Sequence, residues 1–168
     1  VGSKLNTYNP ADVLVSLAGL HTVTGYADGS FIKIRKDMKP FEKLRTMGGE
    51  ISRIYMQDDG FRVELSLMQS STSNNILSML YNVDIATRIA KFPVIIKDLS
   101  GSTTFVSLTS WVEEIPEVEL GNTLKERTWV LFCTEATLMV GGNDATSLVE
   151  DALMIGTASL PLLKQFLG

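Results

Sequence analysis

Hydrophobic positions recur with period two along most of this chain and with a helical period along one stretch. The clearest alternation is "FRVELSL", residues 61–67. As a strand it turns Phe61, Val63, Leu65 and Leu67 to a core and Arg62, Glu64 and Ser66 to the opposite side. Residues 12–18 alternate in the same way, with Val13, Val15 and Leu17 on one face, and after Gly19 the run "LHTVTG" can return antiparallel. "SFIKIRK" sets Phe31, Lys33 and Arg35 against Ile32 and Ile34. "ISRIYM" and "FRVELSL" are separated by Gln57-Asp58-Asp59-Gly60, whose Asp-Gly pair predicts a tight turn joining the two strands.

The period changes after a polar hinge, Gln69-Ser70-Ser71-Thr72-Ser73-Asn74-Asn75. Ile76, Leu80 and Val83 then form one stripe with Leu77 and Tyr81 beside it, which predicts an amphipathic helix. Ser73 is the expected N-cap, and the other hydroxyls and amides can satisfy backbone groups where the chain leaves the sheet. Arg88 and Lys91 suit the helix's negative pole, and Pro93 is expected to stop it. "FPVIIKDL", "TTFVSLTSWVEE" and "ERTWVLFCTEATLMV" read as three further strands. The last is apolar on both faces through Trp129, Val130, Leu131 and Phe132, so it should be central or covered on both sides. After a turn at Gly141-Gly142-Asn143-Asp144, the segment 143–168 reads as helical, with Leu148, Ala152 and Ile155 on one stripe and Asp144 or Ser147 as cap. The sum is one domain over 1–168 of mainly β (α+β) class: antiparallel strands, one central helix and a C-terminal helical segment.

Composition narrows the classes of function. With 168 residues, 45% hydrophobic and 20% charged, the chain is globular rather than disordered. Its net charge of −4, without a long run of one sign, removes the basic footprint of a nucleic-acid binder. One cysteine, Cys133, and one histidine, His21, exclude an internal disulfide and leave little from which to build a zinc site. No apolar run approaches the roughly 18 residues of a membrane span, and "VGSKLNTYNP" lacks the apolar region of a signal peptide. A reducing compartment is the expected setting.

Catalytic constellations are hard to assemble from these residues. His21 sits among threonines on a strand, Cys133 lies in an apolar strand, and the Asp58-Asp59 and Glu113-Glu114 pairs point apart on a strand or into water in a turn. Gly48-Gly49 and Gly141-Gly142 lack the Lys-Ser/Thr of a phosphate cradle. No catalytic residue, cofactor or metal is therefore expected. One feature resists a bland reading: the connection 37–50, "DMKPFEKLRTMGGE", is long for a sheet connection and carries Met38, Pro40, Phe41, Leu44 and Met47 among charges. Either it folds back on its own domain or it packs on another subunit, and the second reading is preferred.

Several pieces together resemble the tail-tube proteins of contractile-tailed bacteriophages: "YNPADVLVSLAG", "TVTGYADGSFIKI", "GGEISRIYMQDDGFRVELSLMQSSTSNNILSML" and "VLFCTEATLMVGG", over roughly residues 8–142. The resemblance implies a β-sandwich or partly open barrel with one flanking α-helix. It implies six subunits in a ring, rings stacked into a tube inside a sheath, and DNA passing through the lumen without specific binding. The implied partners are further copies of the chain and the sheath, baseplate and tail-terminator proteins, and the implied location is the virion tail, assembled in the host cytoplasm. Met38, Pro40, Phe41, Leu44 and Met47 would lie at a subunit interface, and Arg62, Glu64 and Ser66 would be candidates to face the lumen. Lys33 and Arg35 join that face, so its lining is not uniformly acidic. Residues 1–9 would form an N-terminal arm, and the resemblance does not reach the segment after Asn143.

Three other readings remain open. One is a tube subunit of a bacterial contractile injection or type VI secretion system. Another is a monomeric β-domain binding a small ligand or sugar in a pocket lined by Trp111, Trp129 and Tyr81. The third is a hydrolase using His21 with Asp28 or Asp58.

Overall fold

The alternating strands pair into one antiparallel sheet that rolls around its own apolar face. A computed structural model describes residues 7–142; the segment 143–168 and most of the N-terminal arm lie outside the described residues. In chain order the elements are β1 (Val13–Leu17), β2 (His21–Thr22), β3 (Ile32–Lys36), β4 (Phe41–Arg45), β5 (Ile51–Tyr55) and β6 (Phe61–Met68). Helix α1 (Ser73–Thr87) follows, then β7 (Phe92–Asp98), β8 (Thr104–Glu114) and β9 (Glu126–Met139). The sheet order is β2-β1-β7-β8-β9-β6-β3, and β4 and β5 form a separate two-stranded sheet.

β6 behaves as its pattern requires: Val63, Leu65 and Leu67 are fully buried and Phe61 nearly so. It pairs with β9 along its whole length, from Phe61 opposite Cys133 to Met68 opposite Glu126. β9 is interior, between β6 and β8, as its two apolar faces predict. Trp129, Leu131 and Cys133 enter the core, while Phe132 stacks on Trp111 across the other face at 5.2 Å between ring centroids. Beyond Cys133 the side-chain parity changes. Glu135 takes a left-handed conformation with φ 49°, and Ala136 and Leu138 then pack against the core. The paired strand β8 buries Ser107 and Ser110 near this point; Ser107 Oγ donates to the Thr134 carbonyl at 2.7 Å, and Ser110 Oγ donates to Ser107 Oγ at 3.1 Å. Such irregularities bend strands, and the roll brings Phe61 edge-on to Phe105 at 5.5 Å. It does not close. A gap of about 370 Å³, lined by Ile32 and Ile34 on one side and Val13 and Ile96 on the other, separates the β3 edge from β1 and β7. The architecture is a partly open antiparallel barrel with one flanking helix.

Three expectations need correction. First, β5 and β6 are not neighbours: β5 pairs with β4, and β6 pairs with β3 and β9. Asp58 instead organises a crossing, accepting from the Met38 and Gly60 amides at 3.1 and 3.0 Å and lying 3.8 Å from Lys36 Nζ. Second, Ser73 is not an N-cap. The helix begins at Ser73 itself, with Thr72 before it making no side-chain cap bond. Ser73 Oγ accepts from the Thr24 amide and shares a hydrogen bond with His21 Nε2, both at 3.0 Å. Third, Pro93 does not end the helix. Arg88 does, in a left-handed conformation with its amide bonded to the Asp84 carbonyl at 2.7 Å. Pro93 lies within β7 at the register shift between Phe92 and Val94, where a missing N–H costs the ladder least.

The helix also buries a different stripe from the expected one. Ser73, Asn74 and Leu77 are its buried residues, with Leu80 and Tyr81 packed partly against the core, whereas Val83 is exposed. The turn of the face follows from Asn74. Its Oδ1 accepts from Trp129 Nε1 at 2.8 Å, and its Nδ2 donates to the Met68 and Ser71 carbonyls at 2.9 and 3.0 Å. Ser71 Oγ donates to the Thr24 carbonyl, and its own Cβ sits so close to Gly25 that a side chain there would meet it at 2.7 Å. Gly25 also has φ +72°, so both space and backbone require glycine.

Asn74→Ala leaves the buried Trp129 indole N–H without its partner and takes one hydrogen bond from each of the Met68 and Ser71 carbonyls, which keep their backbone partners. It is expected to lower stability by about 2–3 kcal/mol, read as a lower urea midpoint at unchanged slope. In a double-mutant cycle with Trp129→Phe, the two losses should be less than additive.

Candidate functional site

Among the described residues no side-chain constellation in the core presents chemistry, so the candidate surfaces are those the fold leaves uncovered. The β4–β5 hairpin is the largest departure from ordinary burial: all ten of its strand residues are exposed. Its tip closes through Thr46 and Gly49, the latter at φ +84°, and Met56 donates to the Pro40 carbonyl at its base, 2.8 Å away. Phe41 stacks on Tyr55 at 5.3 Å, and Arg53 lies over the Phe41 ring at 4.0 Å. Leu44, Ile51 and Ile54 are each about half exposed or more, at 55%, 58% and 45%. Met38 and Met47 are exposed at its base and tip, and Pro40 is exposed before the first strand. The expected long loop is therefore an ordered ribbon with apolar side chains in water.

Register explains how the ribbon is organised. Phe41 faces Tyr55, Lys43 faces Arg53 and Arg45 faces Ile51, so these six share one side. Glu42, Leu44, Ser52 and Ile54 occupy the other. A lone two-stranded hairpin is marginal in water, and Lys43 directly opposite Arg53 weakens it further.

The side of β6 away from the core carries the other group of candidates. Arg62 lies 3.3 Å from Glu113 and 3.8 Å from Asp37. Glu64 faces Lys33 across the β3–β6 ladder, and Arg35 faces Arg62. Ser66 Oγ and Thr128 Oγ1 are 3.2 Å apart. Arg62, Glu64 and Ser66 thus sit on a continuous surface with Lys33 and Arg35, mixed in charge and partly self-paired. Among the described residues both sheet edges are open as well: β2 offers two residues and β3 five with no strand beyond them.

The remaining residues singled out from the sequence are dispersed. His21 is committed to Ser73, while Asp58 holds the crossing and Asp28 accepts from the adjacent Gly29 amide. Trp129 and Tyr81 do line one hollow of about 220 Å³ beside α1, with Asn74 and Arg127, but Trp111 stacks on the opposite face of the sheet. Among the described residues, no three of His, Cys, Asp and Glu come together as a metal site. None of the helices described is long and apolar enough to cross a membrane. Cys133 is fully buried, and burial pushes its thiol pKa up, partly offset by hydrogen bonds from Ser110 and Ser107. Burial likewise pushes the Tyr26 hydroxyl up to about 12. Tyr26 bridges to Leu67 and packs on Phe31 at 4.8 Å, signals that the sequence pattern did not carry.

Comparison with known proteins agrees with the architecture. No known family model matches the sequence. The structural protein ORF10 of Pseudomonas phage KPP10 is 28% identical over 154 residues, covering 88% of this chain and 89% of that protein. Among solved structures, the tube-terminating cap of the anti-feeding prophage superposes with a TM-score of 0.57 at 12% identity, over 83% of this chain and 95% of that one. A chain of the sheath–tube complex of the PVC extracellular contractile injection system gives 0.52 at 11% identity, over 80% and 92%. A chain from the virion of a native gene transfer agent gives 0.50 at 12% identity, over 80% and 100%. The chain is similar to a phage structural protein and has a tail-tube-like fold, in agreement with the resemblance read from the sequence.

Two measurements check the buried groups. Cys133 should resist a thiol reagent at pH 8 in the folded protein and react fully in urea. Tyr26 ordinarily ionises near 10 but near 12 when folded, so the unfolded chain loses its proton first. Stability should therefore fall as pH rises from 10 to 12, and Tyr26→Phe should flatten that part of the profile.

Proposed function

We propose that this chain is the inner-tube subunit of a contractile phage tail, acting by self-assembly rather than catalysis. Six copies close a ring through their open sheet edges, rings stack into a tube, and the genome passes down the lumen into the host. The observation that carries this reading is the exposed hairpin at residues 41–55, whose Phe41, Leu44, Ile51, Ile54 and Tyr55 find no cover in the chain's own core and would gain it from another subunit. The free β2 and β3 edges support it, because edge pairing between neighbours removes an aggregation hazard. One heterologous contact repeated around an axis closes a ring, and one repeated along it propagates a filament.

In this arrangement Met38, Pro40, Phe41, Leu44 and Met47 belong to a subunit interface, and the surface with Arg62, Glu64 and Ser66 faces the lumen. The cations on that surface are partly neutralised by Glu113, Asp37 and Glu64. A conduit with few free cations lets phosphates slide past. Sheath, baseplate and terminator proteins are the further partners, and the virion tail is the location, with assembly in the host cytoplasm. A tube subunit of a cell-encoded injection system is the alternative, favoured by the likeness to injection-system chains. The phage structural relative, spanning most of both chains, favours the tail.

Purified protein should form rings or tubes under negative-stain microscopy, whereas a strict monomer at millimolar concentration would refute the proposal. Phe41→Ser and Leu44→Asp should each reduce assembly at least tenfold and leave the circular dichroism of the monomer unchanged. Rings that never lengthen would identify a terminator instead of a tube subunit.

A further inference from the structure

We infer that the basic side of the β4–β5 hairpin docks head-to-tail on residues 114–120 of a second copy of this chain. The inference rests on the self-assembly proposed above and names the contact that carries the stacking direction.

Three features point to it. The first is charge. One side of the hairpin presents Lys43, Arg45 and Arg53 with Phe41, Ile51 and Tyr55, and no anion. Lys43 and Arg53 face each other directly across the ladder, a repulsion that a carboxylate from outside would relieve. The second is the complementary surface. The end of β8 and the connection after it read "EIPEVEL", residues 114–120, with Glu114, Glu117 and Glu119 and no cation. All three glutamates are exposed, and so are Ile115, Val118 and Leu120, the last two at 62% and 75%. Like the hairpin, this segment interleaves apolar residues with charges of a single sign, and the sign is opposite.

The third is position. The hairpin grows from the end of the sheet where Lys36 pairs with Phe61. The β8–β9 connection lies at the other end, where Met68 pairs with Glu126 and the Gln69 amide bonds to the Lys125 carbonyl. Ile115, Pro116 and Val118 line the hollow beside α1 with Trp129 and Arg127, which face Leu65 and Leu67 of β6, so they lie about 13–20 Å along the strand from its hairpin end at ~3.3 Å per residue. Two molecules in the same orientation can bring the hairpin of one onto the acidic segment of the other, and each contact leaves a free hairpin at one end and a free acidic segment at the other. The contact is heterologous and repeats without limit along the axis. Its charged pairs fix which end meets which, since hairpin-to-hairpin contact would bring cations together.

Charge reversal and cross-linking test this on the full chain. Lys43→Glu with Arg45→Glu should cut the sedimentable assembled fraction at least tenfold, as should Glu117→Lys with Glu119→Lys. The four substitutions together should restore at least half of it. On oxidation, a chain with Ile51→Cys and Val118→Cys should give a ladder of dimer, trimer and longer species, and each single-cysteine chain should stay monomeric. The native Cys133 is buried and does not compete. Wild-type assembly unaffected by either reversal, absence of rescue, or cross-linking by Ile51→Cys alone would overturn the pairing while leaving self-assembly standing. A wild-type chain that neither sediments nor cross-links in the two-cysteine form would overturn both. If Lys43→Glu with Arg45→Glu abolished binding of a labelled single-stranded DNA and spared assembly, the basic side would belong to nucleic acid and the inference would fail.

Discussion

The structure depends on keeping every polar group satisfied where β6 hands over to α1. A strand that leaves the middle of a sheet and turns into a helix buries amides and carbonyls that neither ladder nor helix can pair. Here Asn74 joins the end of β6, the turn and the indole of Trp129, while Ser71 and Ser73 tie the same turn to residues 21–25. The result fixes the helix against β9 at one rotation only and holds the short β2 and the Gly25 turn in place. Apolar burial supplies the bulk of the stabilisation, but it is indifferent to small rotations; the amide is not.

A second constraint is the incomplete closure of the sheet. A seven-stranded sheet with its core on one side must roll to bury that face, and the irregularities in β8 and β9 supply the bend. Because the roll stops short of a ladder between β3 and β1, the subunit keeps two free edges and a hairpin outside its core. These features look like defects in an isolated domain. In the assembly proposed above they are the places where neighbouring copies would complete the fold.

Much of this was legible in the residues. The strict alternation of β6 gave its two faces, the doubled apolarity of Trp129–Phe132 placed β9 inside the sheet, and the change of period after Gln69 gave the helix. What escaped has physical causes. Phe41–Arg45 carries no apolar face because neither side of it meets the subunit's own core, so it read as loop. Asp58-Asp59-Gly60 has the chemistry of a hairpin turn, but its carboxylate serves a crossing between β5 and β6. The helix face was displaced from Ile76 and Val83 because hydrogen bonding by Asn74 outweighed the apolar stripe. Ser73 was drawn to Thr24 and His21, a long-range contact that no local capping rule contains. The apolar residues of 38–47 stood out by composition alone, whereas the opposition of a basic ribbon and an acidic connection required the strand register.

The continuous pairing of β6 with β9 has a mechanical consequence. The hairpin and the acidic connection are joined through these two strands, whose eight facing positions run parallel to the line between the two ends. A load applied at one end and resisted at the other acts along the strands and shears all eight pairs at once, instead of unzipping them in turn. A molecule built this way transmits thrust along these strands as a stiff strut.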